Sequence, residues 1–120
     1  MNNRSFEFRI WSNRTRKFIP LETIGCQNIE WLSKQTYFDG RETKPEYIIQ
    51  QFTGFLDKKG VKVFEGDIIK FRAYSDPARI KWDNYAYFVT WDDGTRELLM
   101  DLKTISFKVI GNILENPELL

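Results

Sequence analysis

Few side chains in this sequence are equipped for covalent or acid–base chemistry. There is no histidine, which excludes Ser-His-Asp and Cys-His pairs, an imidazole general base and any His-containing zinc site. The single cysteine, Cys26, has neither a disulfide partner nor a base, and it reads as a small buried hydrophobe. Glu65 and Asp67 flank Gly66. As an acid–base pair they need a cleft and split pKa values; as turn and cap residues they need nothing further, and that role is preferred. Asp92, Asp93 and Asp101 carry oxygen ligands suited to Mg²⁺ or Ca²⁺, but a hairpin turn already accounts for Asp93 and the ligand set is short. No catalytic residue, metal or cofactor is expected.

Binding chemistry is better represented. Arg72, Arg79, Lys81 and Trp82, with Tyr85 nearby, mix cations with stacking surfaces, the combination that holds single-stranded nucleic acid at roughly 1–3 kcal/mol per stacked base. Arg14, Arg16 and Lys17 extend the patch. Against that reading, the net charge is only +1, whereas dedicated nucleic-acid binders carry a clear basic excess, and Asp76 and Asp83 interrupt the patch. The preferred reading of Trp82 and Tyr85 is as core residues, with the cations solvated.

Protein–protein contact is the other class, because Trp, Tyr and Arg dominate interface hot spots. The net charge also hides an asymmetry: residues 1–20 balance at +4 and residues 91–120 at −3. Solvated strand faces are the plain account. A basic start facing a neighbour's acidic finish is the self-association version, and such head-to-tail contacts can close into a ring.

These residues must be carried by strands. Aromatics make up 16% of the 120 residues, a bias toward β structure. Phe6, Phe8 and Ile10 alternate with Glu7, Arg9 and Trp11, and Lys17-Phe18-Ile19-Pro20-Leu21 returns after a polar turn, so the first 21 residues predict a hairpin. Between Glu22 and Arg41 the pattern weakens: Ile29, Trp31 and Leu32 fit a short helix or a strand, and Phe38-Asp39-Gly40 marks a turn.

From residue 46 the signals sharpen. Tyr47 to Phe52 is a β-rich run, and Asp57-Lys58-Lys59-Gly60 is a turn in which Gly60 takes positive φ. Gly66 permits a sharp reversal and Asp67 accepts backbone N–H groups there. Arg79 to Trp91 forms two strands broken near Asp83-Asn84, with Tyr87, Val89 and Trp91 on one face. Asp93-Gly94 suits a type I′ hairpin turn. Glu97 to Met100 and Ile105 to Ile110 are further strands, and Asn116-Pro117 predicts a capped terminal helical turn.

Three segments resemble a known family. They are Phe6-Glu7-Phe8-Arg9-Ile10-Trp11; the run from Gln51-Phe52-Thr53-Gly54 through Asp57-Lys58-Lys59-Gly60 to Phe64-Glu65-Gly66-Asp67-Ile68-Ile69; and the ending from Val109-Ile110-Gly111-Asn112 to Leu120. In this combination and order the chain is similar to the YopX-like phage proteins. The resemblance implies a phage or prophage origin and an SH3-type barrel in the carboxy-terminal part. It brings no catalytic residues with it.

The expected fold is therefore mainly β with little helix: an N-terminal accessory hairpin region, residues 1–45, and an SH3-like barrel, residues 46–120, with a short tail. The expected function is a non-enzymatic accessory role in binding, with a protein partner or self-association ahead of single-stranded nucleic acid. One unpaired thiol, no apolar leader and no stretch of 18 apolar residues point to a cytoplasmic protein without membrane spans.

Overall fold

The computed structural model describes residues 7–20, 29–102 and 106–120. Phe6, Leu21, Cys26 and Ile105 lie outside them. The chain is mainly β and divides into two compact units, residues 7–51 and 52–120. No helix among the described residues is long and apolar enough to cross a membrane.

In the first unit, β1 (Phe8–Ser12) runs antiparallel to β2 (Lys17–Ile19) on one side and to the start of β5 (Tyr47–Leu56) on the other. Ile10 and its neighbour Trp11 are both about 1% exposed. The half-buried alternation expected of this strand is therefore corrected: a central strand is covered on both faces. Trp11 packs edge-on against Phe18 at 5.0 Å, and its indole N–H donates to the Asn13 side chain.

Among the described residues of the ambiguous stretch there is a short helix, α1 (Ile29–Lys34), which buries Leu32. A small hairpin follows, β3 (Thr36–Phe38) and β4 (Thr43–Pro45). Asp39 Oδ1 closes its turn by accepting the N–H groups of Arg41 and Glu42. The Lys44 ammonium and these two N–H groups hold the Asp39 carboxyl well below the usual carboxylate range.

In the second unit, the end of β5 pairs with β6 (Lys62–Phe64). Beside it stands an antiparallel five-stranded sheet. Its strands are β7 (Asp67–Phe71), β8 (Ala78–Asp83), β9 (Ala86–Thr90), β10 (Arg96–Leu98) and β11 (Phe107–Asn112), in the order β10-β9-β8-β7-β11. The core gathers Val63, Ile69, Phe71, Ala78, Ile80, Val89 and Phe107, with Tyr87 and Trp91 packed against it. The strand expected over Glu97–Met100 stops at Leu98. Leu99–Leu102 coils into a helical turn, α2, because the i, i+3 spacing of Leu99 and Leu102 lets both enter the core.

Three turns shape this unit. Gly60 (φ +82°) ends the 57–60 turn. There Asp57, 7% exposed, accepts the N–H of Lys59 and Val61 on Oδ1 and that of Val109 on Oδ2. Burial pushes the Asp57 carboxyl pKa up, but the N–H groups of Val109, Val61 and Lys59 outweigh it and leave the group below its ordinary value.

At the second turn, Gly66 (φ +85°) donates its N–H to the Ile80 carbonyl. Asp67 is fully buried there; Oδ2 accepts the Phe64 N–H and Oδ1 the Asn112 side-chain amide at 3.1 Å. At the third turn Gly94 has φ +90° but Asp93 is not in the left-handed region, so the expected type I′ turn is corrected. Asp92 and Asp93 occupy the centre of a turn closed by the Gly94 N–H on the Trp91 carbonyl, and Gly94 supplies the bulge. The Thr95 N–H holds Asp93 in this arrangement and keeps its carboxyl below the usual range.

The chain end departs from its expected cap. Pro117–Leu119 forms a 3-10 turn, but the Asn116 side chain makes no cap bond. Its oxygen accepts the Asn112 N–H instead. Gly111 makes the approach possible: a Cβ there would come within 2.8 Å of that oxygen and 2.7 Å of Leu119.

Asn112→Ala is expected to cost about 1–3 kcal/mol in urea unfolding, and Asp67→Ala a similar amount. The double variant should lose less than the sum, with a coupling of about 0.5–3 kcal/mol; strictly additive losses would show that the two side chains act independently. Asp57→Asn turns an acceptor into a donor facing an N–H group and should destabilise by about 1–3 kcal/mol. Because the folded-state pKa lies below the ordinary 3.8, the wild-type advantage is full above about pH 5 and shrinks as pH falls through and below that value.

Candidate interaction surface

The β8–β9 hairpin carries four of the eight residues singled out for binding, Arg79, Lys81, Trp82 and Tyr85. Its register pairs Arg79 with Thr90, Ile80 with Val89, Lys81 with Phe88, Trp82 with Tyr87 and Asp83 with Ala86. Period-two alternation then separates the expected patch. Ile80, Trp82, Tyr87 and Val89 share the face that continues into the core, whereas Arg79, Lys81 and Phe88 share the opposite face.

Trp82 and Tyr85 are not core residues. Trp82 is 46% exposed and Tyr85 93%. The buried side chains of β8 end at Ile80, so the hairpin projects past them and leaves Trp82 and Tyr85 uncovered. Trp82 meets Tyr87 edge-on at 4.8 Å. Burial pushes the half-buried Tyr87 hydroxyl up to about 12, with a smaller contribution from the Glu65 carboxylate.

The loop itself is two residues, Asn84 (φ +49°) and Tyr85 (φ +70°). Two successive left-handed residues joining antiparallel strands make a type I′ turn, which normally runs Asn-Gly. Asn84 is suited to its position. Tyr85 occupies the position where glycine relieves the clash between Cβ and the backbone.

Carboxylates answer the cations on the other face. Arg79 lies 3.7 Å from Asp92. Arg96 bonds Asp83 at 2.9 Å and covers the Phe88 ring at 4.2 Å. Lys81 is exposed. The hairpin thus presents bare aromatic surface on one side, and on the other, two of its three neighbouring cations are paired with carboxylates.

The remaining expected residues stand elsewhere. In the 7–51 unit, Arg14 lies 3.8 Å from Glu46 and 5.5 Å from the Tyr37 ring centre. Arg16, itself at φ +60°, stacks over Trp11, and Lys17 opens β2. Glu46 and the aromatic rings within this unit therefore engage part of the basic start. Arg72 follows β7 and joins Lys58, Lys70 and Lys108 around one cavity. Sequence reasoning passed over those three lysines, because only the β7–β11 register brings them together. Asp92, Asp93 and Asp101 form no metal cluster: among the described residues no group of three or more possible ligands converges.

Known proteins resemble the chain along nearly its whole length. The crystal structure of protein EF1440 from Enterococcus faecalis matches it with a TM-score of 0.62 and 24% identity, over 97% of this chain and 98% of that one. At that identity the likeness establishes the fold alone. No curated protein matches. The family described as YopX protein matches residues 7–120, a span that includes the β8–β9 hairpin, the Asp67–Asn112 contact and the basic cavity. The chain belongs to the YopX family.

Proposed function

We propose that this chain is a non-enzymatic accessory protein of phage or prophage origin that works in the bacterial cytoplasm by binding another protein. In this reading residues 52–120 form an SH3-type barrel, with which the five-stranded antiparallel order is compatible. Such a fold licenses no particular partner, so the reading rests on the hairpin tip.

One observation carries it. Tyr85, almost fully exposed, is held in a backbone conformation that costs a side-chain-bearing residue roughly 1–2 kcal/mol. A solvent-facing tyrosine contributes nothing to the core in return. Strained residues of this kind cluster at ligand clamps and other functional sites. Tyr85 and Trp82 together offer rigid amphipathic surface of the sort that anchors interfaces. The neighbouring ion pairs, Arg96–Asp83 and Arg79–Asp92, leave little net charge to desolvate there.

The same geometry speaks against single-stranded nucleic acid at this hairpin, which would need Lys81 and Arg79 on the face that carries Trp82.

Tyr85→Gly provides the test, because it separates the two roles of the loop. The substitution is expected to raise stability by up to about 1 kcal/mol in urea unfolding. It should also abolish capture of the proteins that the wild type retains from a nuclease-treated, phage-bearing host lysate, and Trp82→Ala should weaken that capture as well. Undiminished capture by both variants would sink the proposal. Retention that disappears with nuclease and falls in Arg79→Ala or Lys81→Ala would identify nucleic acid instead. If the partner is a second copy, light scattering will show a mass above 14.4 kDa that Tyr85→Gly returns to the monomer.

A further inference from the structure

A second concentration of functional groups lies away from the hairpin tip. A cavity of about 320 Å³ is lined by Lys58, Lys70, Phe71, Arg72 and Lys108. That volume is at the lower end of small-ligand sites. Four of its five lining residues are cations, and no carboxylate lines it among the described residues.

Backbone register forces this concentration. Lys70 and Lys108 are direct cross-strand partners in the β7–β11 ladder, an arrangement of like charges that weakens a sheet. The Phe107 carbonyl accepts the Lys58 N–H and brings the 57–60 turn against the start of β11. Arg72 follows directly on β7.

Lys70 is held in place as well. Its ammonium donates to the carbonyls of Tyr74 and Ser75, each at 3.0 Å, so two of its three donors are committed and one remains. Elsewhere Arg14, Lys34, Lys44, Arg79 and Arg96 each lie beside a carboxylate. Among the described residues, Lys58, Arg72 and Lys108 have no such neighbour. Four cations held together against their mutual repulsion, one of them oriented by two carbonyls, form a site for an oxyanion with several acceptor atoms.

We propose that this cavity binds a phosphate group, carried either by a free oligophosphate or by a phosphodiester backbone. The guanidinium of Arg72 supplies a planar two-donor fork, and the lysines supply point charges around it.

Calorimetric titration of the full chain with inorganic pyrophosphate tests the proposal. Binding is expected, and its dissociation constant should rise about tenfold or more in Arg72→Ala and in Lys108→Gln, since each removes a charged hydrogen-bond donor. Arg41→Ala, which deletes an equal charge in the 7–51 unit, should leave binding unchanged. Lys108→Gln should also raise the thermal midpoint of the ligand-free chain by relieving its repulsion with Lys70, while reducing the stabilisation that pyrophosphate gives the wild type. A single-stranded oligonucleotide distinguishes the two sources. Competition with pyrophosphate identifies a phosphodiester, and binding of pyrophosphate without competition identifies a free anion. Absence of any binding heat at millimolar pyrophosphate, or equal weakening in all three variants, overturns the proposal.

Discussion

The buried contact between Asp67 and Asn112 is the constraint on which the 52–120 unit depends. An Asp side chain with almost no solvent access must have its oxygens occupied. Here the Phe64 N–H takes one and the Asn112 amide the other. The consequences spread through the backbone. Asn112 Oδ1 accepts the Leu114 N–H, the Ile113 N–H reaches the Gly66 carbonyl, and the Gly66 N–H reaches Ile80. One polar pair therefore ties the β6–β7 turn to β8, β11 and the chain end. The β7–β11 bulge, where Val109 faces Ile69 but Gly111 faces Ile68, sets the register that places Asn112 opposite Asp67. Asp57 works in the same way on a smaller scale, since its second oxygen reaches β11 at Val109.

That rigid frame allows two costly features to persist. One is a tyrosine at a left-handed position in the tightest hairpin; the other is a lysine pair facing itself across β7 and β11. Neither adds to stability, and both expose chemistry to solvent. The two features differ in kind. The hairpin tip is aromatic and flanked by ion pairs, which suits a dry protein contact. The cavity is cationic and shallow, which suits an anion that remains partly hydrated.

Much of the fold was legible in the residues themselves. Period-two alternation located β1 and β9, and the Gly60, Gly66 and Gly94 turns were marked by residues whose backbone freedom the reversals need. Where local signals competed, the reading failed for identifiable reasons. Asp93-Gly94 looks like a type I′ pair, yet the Asp93 carboxyl prefers the Thr95 N–H and the loop takes a wider form. The true two-residue turn, at Asn84-Tyr85, contains no glycine to announce it. Leu99 and Met100 read as the end of a strand in isolation, and only the core beneath them selects a helical turn over Leu99–Leu102.

By itself, the sequence determined the absence of imidazole chemistry, the β bias of its aromatics, the turn positions and the family to which the segments from Phe6 to Leu120 point. These follow from residue type and local spacing. The tertiary structure alone decided which side chains share a face. It left Trp82 and Tyr85 in solvent instead of in the core, and assembled Lys58, Lys70, Arg72 and Lys108 from three separate stretches. The physical reason is register: a shift of one residue moves every side chain of a strand to the other face, and register is set by long-range contacts such as Asp67–Asn112 that no local pattern encodes.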